Sequence, residues 1–272
     1  MKLLNFYKDK TLRKGIFTDK GIQPLPDSYL SNYNIDDYKN LNINDLSEEM
    51  IAEDDVTIAP CCHNPSKIIC IGLNYKQHAI ESGMQIPTIP VVFNKFNNTL
   101  VQYGEDIVLG HKGTQFDYEV ELGVVIGKRC KNVTKDRALE YVLGYCVAND
   151  MSCRDLQFRS SQWLMGKSLD TFLPLGKYIV TADEVGNPQN LNLKCFLNDE
   201  LRQNSNTSDM IFSVADIIED LSNHFTLMPG DLILTGTPEG VIMGMKEKNW
   251  VKKGDVIIVE IEKLGNSTNI VG

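Results

Sequence analysis

No stretch of this 272-residue chain approaches the roughly 18 consecutive apolar residues that a membrane span requires, so no membrane association is expected. The opening Met-Lys-Leu-Leu-Asn-Phe-Tyr-Lys-Asp-Lys turns charged before an apolar leader core can form, which predicts a cytoplasmic protein. Basic charge is also short. The 27 Lys and Arg stand against 36 Asp and Glu, a net charge of −9 with no dense basic stripe, so nucleic acid and anionic lipid are poor partners. There is no Gly-x-Gly-x-x-Gly after a strand pattern and no phosphate loop, which leaves nucleotide binding without support. The seven cysteines are an odd, scattered set, and Cys61-Cys62-His63 has no second pair at ligand spacing. Reduced thiols are expected, and a structural zinc site is not.

What is present is enough apolar residue, 42%, to bury a sizeable core as one large domain or a domain plus an appendage. Residues 1–62 differ from the rest and read as a small N-terminal α/β appendage to a body spanning 63–272. Within them, Lys14 to Ile22 suggests a hairpin, and a short helix is expected over Leu46 to Ala52. The body alternates β-branched runs with Gly and Pro. Strands are predicted over Lys67 to Leu73, Val120 to Ile126, Leu143 to Ala148, Leu191 to Leu197, Leu232 to Leu234 and Val256 to Ile261. An amphipathic helix carries Val214, Ile217, Ile218 and Leu221 at helical spacing behind Ser213 as N-cap, with His224 as a polar group near its end. The fold class is therefore α+β and β-rich.

The run Phe116-Asp117-Tyr118-Glu119-Val120-Glu121-Leu122 carries the most chemical information. Period-two geometry places Asp117, Glu119 and Glu121 on one face and Tyr118, Val120 and Leu122 on the other. Carboxylates side by side on a half-buried strand repel one another and lose hydration, so a cation is expected among them. Two hard oxygen ligands on a rigid strand suit Mg²⁺, Mn²⁺ or Ca²⁺. The same alternation also suits a solvated outer face. Asp150 opens Asp150-Met151-Ser152-Cys153-Arg154-Asp155-Leu156-Gln157, and a helix there would align Asp150, Arg154 and Gln157 on one face, an acid and a carboxylate-binding fork together. The same residues also read as an ordinary helix start with an internal Asp to Arg pair.

His78 and Glu81 stand three apart, where a carboxylate can fix an imidazole tautomer and make it a general base, or simply form a surface pair. Gly83 and the prolines at 87 and 90 give that stretch the look of a hinged flap. Lys167 lies in an apolar, aromatic setting where a buried ammonium requires an anion, and Thr237 lies in a Gly-rich turn after a strand.

Taken in order, Gly-x-Asn-Tyr-x-x-His-x-x-Glu, Asp-Tyr-Glu-x-Glu-Leu, Asn-Asp-x-Ser-x-Arg-Asp-x-Gln, Trp-x-x-x-Lys-Ser-x-Asp-Thr-Phe-x-Pro-Leu-Gly and Pro-Gly-Asp-x-Ile-x-Thr-Gly-Thr-Pro-x-Gly-Val resemble the fumarylacetoacetate hydrolase family from about residue 63 to the end. The resemblance implies a mixed β-roll of that family's C-terminal-domain type, usually a homodimer. It implies Mg²⁺ or Mn²⁺ on Glu119, Glu121 and Asp150, with Ca²⁺ as an in vitro substitute. It also implies substrate contacts from Arg154, Gln157, Lys167 and Thr237, and a His78–Glu81 dyad on a lid. The expected activity is hydrolysis of a carbon–carbon bond in acylpyruvate-like diketo acids, with His78 activating water and Lys167 steadying developing charge. Decarboxylation or tautomerisation of a related 2-oxo or 2-hydroxy-dienoate acid is the alternative, and a non-catalytic binding protein on the same fold is a third. A small keto acid is the expected partner.

Overall fold

The computed structural model describes residues 1–47 and 49–272. Its main element is a ten-stranded mixed sheet. Across it run Gly21–Pro24, Thr11–Thr18, Lys2–Lys8, Ile179–Thr181, Val142–Asn149, Val120–Ile126, Leu232–Leu234, Ile68–Gly72 and Val91–Lys95, with Thr57–Ala59 pairing Lys2–Lys8 off this path. All of these pairings are antiparallel except Leu232–Leu234 with Ile68–Gly72, registered Leu232 to Ile68. A second antiparallel sheet orders Glu200–Asn206, Asn192–Leu197, Val256–Ile261 and Gly265–Ile270.

The two sheets pack face to face. Val120, Leu122, Val124 and Ile126 from the large sheet meet Leu193, Cys195, Val259 and Ile261 from the small one, and Ile217, Ile218 and Leu221 close the same core. The opposite face of the large sheet is covered by the N-terminal segment, where Ile16, Tyr33, Ile35 and Tyr38 join Val125, Leu143 and Cys146. Burial on both faces is why the Val120–Ile126 strand reads as an apolar run rather than an alternation. The first 62 residues thus extend the main sheet through the Lys2–Lys8 pairing with Ile179–Thr181.

The predicted body strands form, Val120–Ile126, Leu232–Leu234 and Val256–Ile261 with the expected bounds. The hairpin is present as Thr11–Thr18 with Gly21–Pro24. The helix runs Val214–His224, and Ser213 and Asp216 complete a reciprocal capping box. His224 is exposed at its end, 3.7 Å from Asp220. The helix expected over Leu46 to Ala52 is not formed by its described residues, while Glu48 lies outside them. Ile51 instead exchanges two backbone hydrogen bonds with Ile22, at 2.8 and 2.9 Å, which draws the segment out onto the sheet edge. Among the described residues of this region the α-helix is Ile35–Lys39, capped by the Asn34 side chain, with single 3-10 turns at Ile43–Asp45 and Glu53–Asp55.

Candidate active site

The acidic residues meet where two central strands end. Val120 pairs with Asn149 and Glu121 with Ala148, so Asp150 emerges opposite Glu119 and its N–H donates to the Glu119 carbonyl at 2.9 Å. Ligand oxygens of Glu119, Glu121 and Asp150 all lie within 4.8 Å of one another, and all three residues are buried. Among the described residues this is the one cluster of three or more His, Cys, Asp or Glu side chains so arranged, and Cys61, Cys62 and His63 form no such group.

Asp150 arrives there by strand pairing, which corrects the helical alignment expected from spacing. Ser152–Cys153 pairs with Phe116–Asp117, and the helix covers only Arg154–Gln157. The chain stays extended through Ser152 and Cys153, whose strand pairing holds it there, so helical geometry begins only at Arg154. Arg154 and Gln157 still share one turn. Lys167 is brought in by the turn Leu164–Lys167, which packs against Arg154–Gln157 at Gly166, where a Cβ would lie 2.3 Å from the Gln157 nitrogen.

Three cations enter this acidic cluster. Lys167 Nζ bridges Glu119 Oε2 at 2.6 Å and Asp150 Oδ2 at 2.8 Å, and stands 5.2 Å from the Phe93 ring centroid. Lys95 Nζ donates to Asp150 Oδ1 at 2.6 Å and to the Met151 carbonyl at 3.1 Å. Arg154 Nη2 reaches Glu119 Oε1 at 2.7 Å. Burial raises the Glu119 carboxyl, but Lys167 and Arg154 outweigh it and hold it down to about 2. Burial lowers the Lys167 ammonium, and Asp150 with Glu119 more than restore it. For Lys95, burial wins and the ammonium is pulled down even with Asp150 beside it.

Glu121 is the exception. With Asp117 the cluster has four acids to three bases, and Glu121 alone has no ion pair among the described residues. Burial, then Asp150 and Glu119, push its carboxyl well above the usual range. Its Oε2 accepts the Gly236 N–H at 2.8 Å. A buried all-oxygen triad with one unbalanced carboxylate fits a hard divalent cation.

Arg154 does not offer the open fork expected of it. Its Nε and Nη2 donate to Asp117 Oδ2 at 3.0 and 2.9 Å, Nη2 also serves Glu119, and Nη1 donates to Gln157 Oε1 at 2.9 Å. One N–H on Nη1 remains for a ligand. Gln157, held through its oxygen, keeps its amide NH₂ free to donate. The Thr237 hydroxyl donates to the Val120 carbonyl at 3.0 Å and accepts from Gln203 at 2.9 Å, so it is engaged in holding its own loop.

His78 and Glu81 occupy the helix Lys76–Glu81, with Nδ1 to Oε1 at 2.8 Å. The turn before this helix passes through Leu73 at a φ of 54°, a left-handed conformation costly for leucine. Fully buried Asn74 holds it there, donating to the carbonyls of Phe212 and Thr235 and accepting from the Phe212 N–H. Residues 82–90 follow as an irregular segment with Ile86 and Ile89 exposed, and Met84 turns into the site. His78, Glu119, Glu121, Arg154, Gln157, Lys167 and Thr237 line one pocket with Phe93, Trp163, Met84 and Met243, enclosing ≈ 30 Å³.

Lys95 and the role of Asp117 escaped the sequence reading. The signal for Lys95 was its place two and four residues after Phe93 and Val91, which turns it inward with them. Asp117 was on the expected face but serves Arg154 and three backbone N–H groups instead of a metal.

The family profile described as fumarylacetoacetate (FAA) hydrolase C-terminal matches residues 67–272. A fumarylacetoacetate hydrolase domain-containing protein 2 homolog of Dictyostelium discoideum is 46% identical over 265 residues, covering 92% of this chain and 86% of the relative. A mitochondrial oxaloacetate tautomerase of Xenopus laevis is 41% identical over 227 residues, covering 83% of this chain and 71% of the relative. Among solved structures, a 5-carboxymethyl-2-hydroxymuconate delta-isomerase from Mycobacterium smegmatis superimposes with a TM-score of 0.81 at 32% identity, covering 100% of this chain and 98% of that one. No helix among the described residues is long and apolar enough to cross a membrane.

Proposed function

This chain belongs to the fumarylacetoacetate hydrolase family, and from that premise we propose that it is a divalent-metal-dependent keto–enol tautomerase of a compact 2-oxo dicarboxylic acid of the oxaloacetate type. The observation that carries the reading is the pair of buried His78 and half-buried Glu81 at 2.8 Å, whose imidazole lines the same pocket as Glu119, Glu121 and Lys167. Isomerisation is favoured over the carbon–carbon cleavage read from the sequence on two grounds. The relatives with printed activities above are a tautomerase and an isomerase. Tautomerisation also needs only a base and an acid, which His78 and Lys167 supply in that pocket, and no attacking water.

Glu81 Oε1 accepts the Nδ1–H of His78, which leaves Nε2 bare and basic. In tautomerisation Nε2 takes a proton from the carbon next to the keto group, the C–H electron pair becomes the carbon–carbon double bond, and charge moves onto the keto oxygen, which is then protonated. Lys167 uses two of its three N–H bonds on Glu119 and Asp150, so the third can donate to that oxygen. The Gln157 amide and the remaining Arg154 N–H can orient a carboxylate. Mg²⁺ or Mn²⁺ on Glu119, Glu121 and Asp150 supplies Lewis acidity toward the 2-oxo acid group when bound. The reading includes a homodimer in the cytoplasm, checked by light scattering and by fractionation.

The test is a panel assay with Mn²⁺ that scores oxaloacetate keto–enol exchange, oxaloacetate decarboxylation and acylpyruvate cleavage separately. Exchange should be fastest, and His78→Ala should slow it by roughly 10² to 10⁴ while oxalate still binds. If acylpyruvate cleavage dominates the panel, the hydrolase reading replaces this one.

A further inference from the structure

The segment from Thr235 to Gly244 is fastened along the strand end that carries the acids. The N–H and hydroxyl of Thr235 both donate to the Leu122 carbonyl, Gly236 N–H donates to Glu121, and Thr237 donates to the Val120 carbonyl. Tyr118 Oη donates to the Gly240 carbonyl at 3.1 Å. The last fastening is Asp117, fully buried, whose Oδ1 and Oδ2 accept the N–H groups of Ile242 at 2.9 Å and Met243 at 3.0 Å. Those two oxygens also take Tyr118 N–H and the Arg154 guanidinium. With five donors on it, Asp117 has no capacity left for a metal, although it shares a face with the triad.

The far side of this loop receives Glu81. Gly240 N–H donates to Glu81 Oε2 at 3.0 Å, and Gly244 lies flat against the same carboxylate, where a Cβ would stand 2.7 Å from Glu81 Cδ. Glu81 thus has one oxygen on His78 and the other on the loop that Asp117 holds.

Resting on the tautomerase reading, in which His78 moves the proton, we propose that Asp117 is a positioning residue for the His78–Glu81 pair. It fixes the 240–244 loop as a seat for the Glu81 carboxylate, and through its second set of donors it ties that seat to Arg154. The imidazole is aimed only when Glu81 is seated.

Asp117→Asn replaces an acceptor with an amide that presents N–H to Arg154 or to Met243, so the loop loses its anchor. Exchange turnover should fall about 10- to 100-fold with KM changed less than threefold, and Mn²⁺ affinity by calorimetry should stay within threefold because Glu119, Glu121 and Asp150 remain. Gly244→Ala reaches the seat without touching Asp117, Arg154 or the triad. The atoms it meets are the mobile end of a side chain, so the variant folds and only Glu81 is displaced. It should lower turnover about tenfold in the parent and less than twofold in a Glu81→Gln background, since an unseated carboxylate cannot be unseated again.

If Gly244→Ala costs the same factor in both backgrounds, the seat does not act through Glu81 and this inference fails while the dyad stands. Parental turnover in Glu81→Gln alone overturns the dyad, and the seat with it. Mn²⁺ affinity lost in Asp117→Asn would make Asp117 a support of the metal ligands instead.

Discussion

Arg154→Lys separates two roles that the sequence joined in one residue. The guanidinium spends Nε and Nη2 on Asp117, Nη2 again on Glu119 at 2.7 Å and Nη1 on Gln157, all buried. A lysine keeps the charge and one carboxylate contact, so two or three charge-assisted bonds are lost, each worth about 1.5–3 kcal/mol. Asp117 is not orphaned, because the N–H groups of Tyr118, Ile242 and Met243 remain on it. The net cost should be about 3–5 kcal/mol, the lower part of that sum and what a buried pair costs when one partner is removed. Urea unfolding in EDTA measures it directly. Ligand binding should suffer less, since a single Nη1 N–H was left to offer. Oxalate affinity with Mn²⁺ present should weaken about tenfold, near 1.4 kcal/mol. A variant as stable as the parent to within about 0.5 kcal/mol, with oxalate affinity down a hundredfold, would refute this reasoning and restore Arg154 as the reader of the substrate carboxylate.

Glu121→Gln removes the one acid of the cluster without an ion pair and keeps an acceptor for the Gly236 N–H. In EDTA it should stabilise the protein by roughly 1–3 kcal/mol, and Mn²⁺ should no longer raise its melting temperature; a parental rise would remove Glu121 from the metal set. Lys14 is buried with a 3.0 Å bond to the Asn32 carbonyl and its Nζ 3.8 Å from the Tyr33 ring centroid, and burial lowers its ammonium to about 8. Between pH 8 and 10.5 the unfolded chain binds this proton and the folded chain does not, so stability from this group rises with pH across that window. Lys14→Met should therefore add about 2–3 kcal/mol at pH 7 and progressively less toward pH 10, which thermal denaturation across that range checks; an advantage that does not shrink refutes the assignment.

How much could be read from the chain depended on where each residue finds its partner. A strand buried on both faces announces itself as an apolar run, and Val120–Ile126 follows from composition alone; Val256–Ile261, buried on alternate positions, follows from its β-branched residues. The pair Glu119 and Glu121 was legible because they flank Val120 at period-two spacing, Glu121 within the strand Val120–Ile126 and Glu119 just before it, and His78 with Glu81 because both sit on one helical turn. Lys95 was not, since an isolated lysine in a strand reads as a solvated face until its counter-ion is known, and Asp150 lies 55 residues away. Arg154 was legible as a cation yet not as an occupied one, because its partner Asp117 is 37 residues upstream on another strand. The same distance hid Asp117, which alternation assigned to the acidic face without saying what it holds. Local spacing identifies which side chains share a surface; only the strand register, with Glu121 opposite Ala148, decides which of them neutralise one another. A charge inside an apolar run is thus an unfinished statement about topology, and its completion by Lys95, Arg154 and Lys167 is what leaves Glu121 as the carboxylate for a metal to claim.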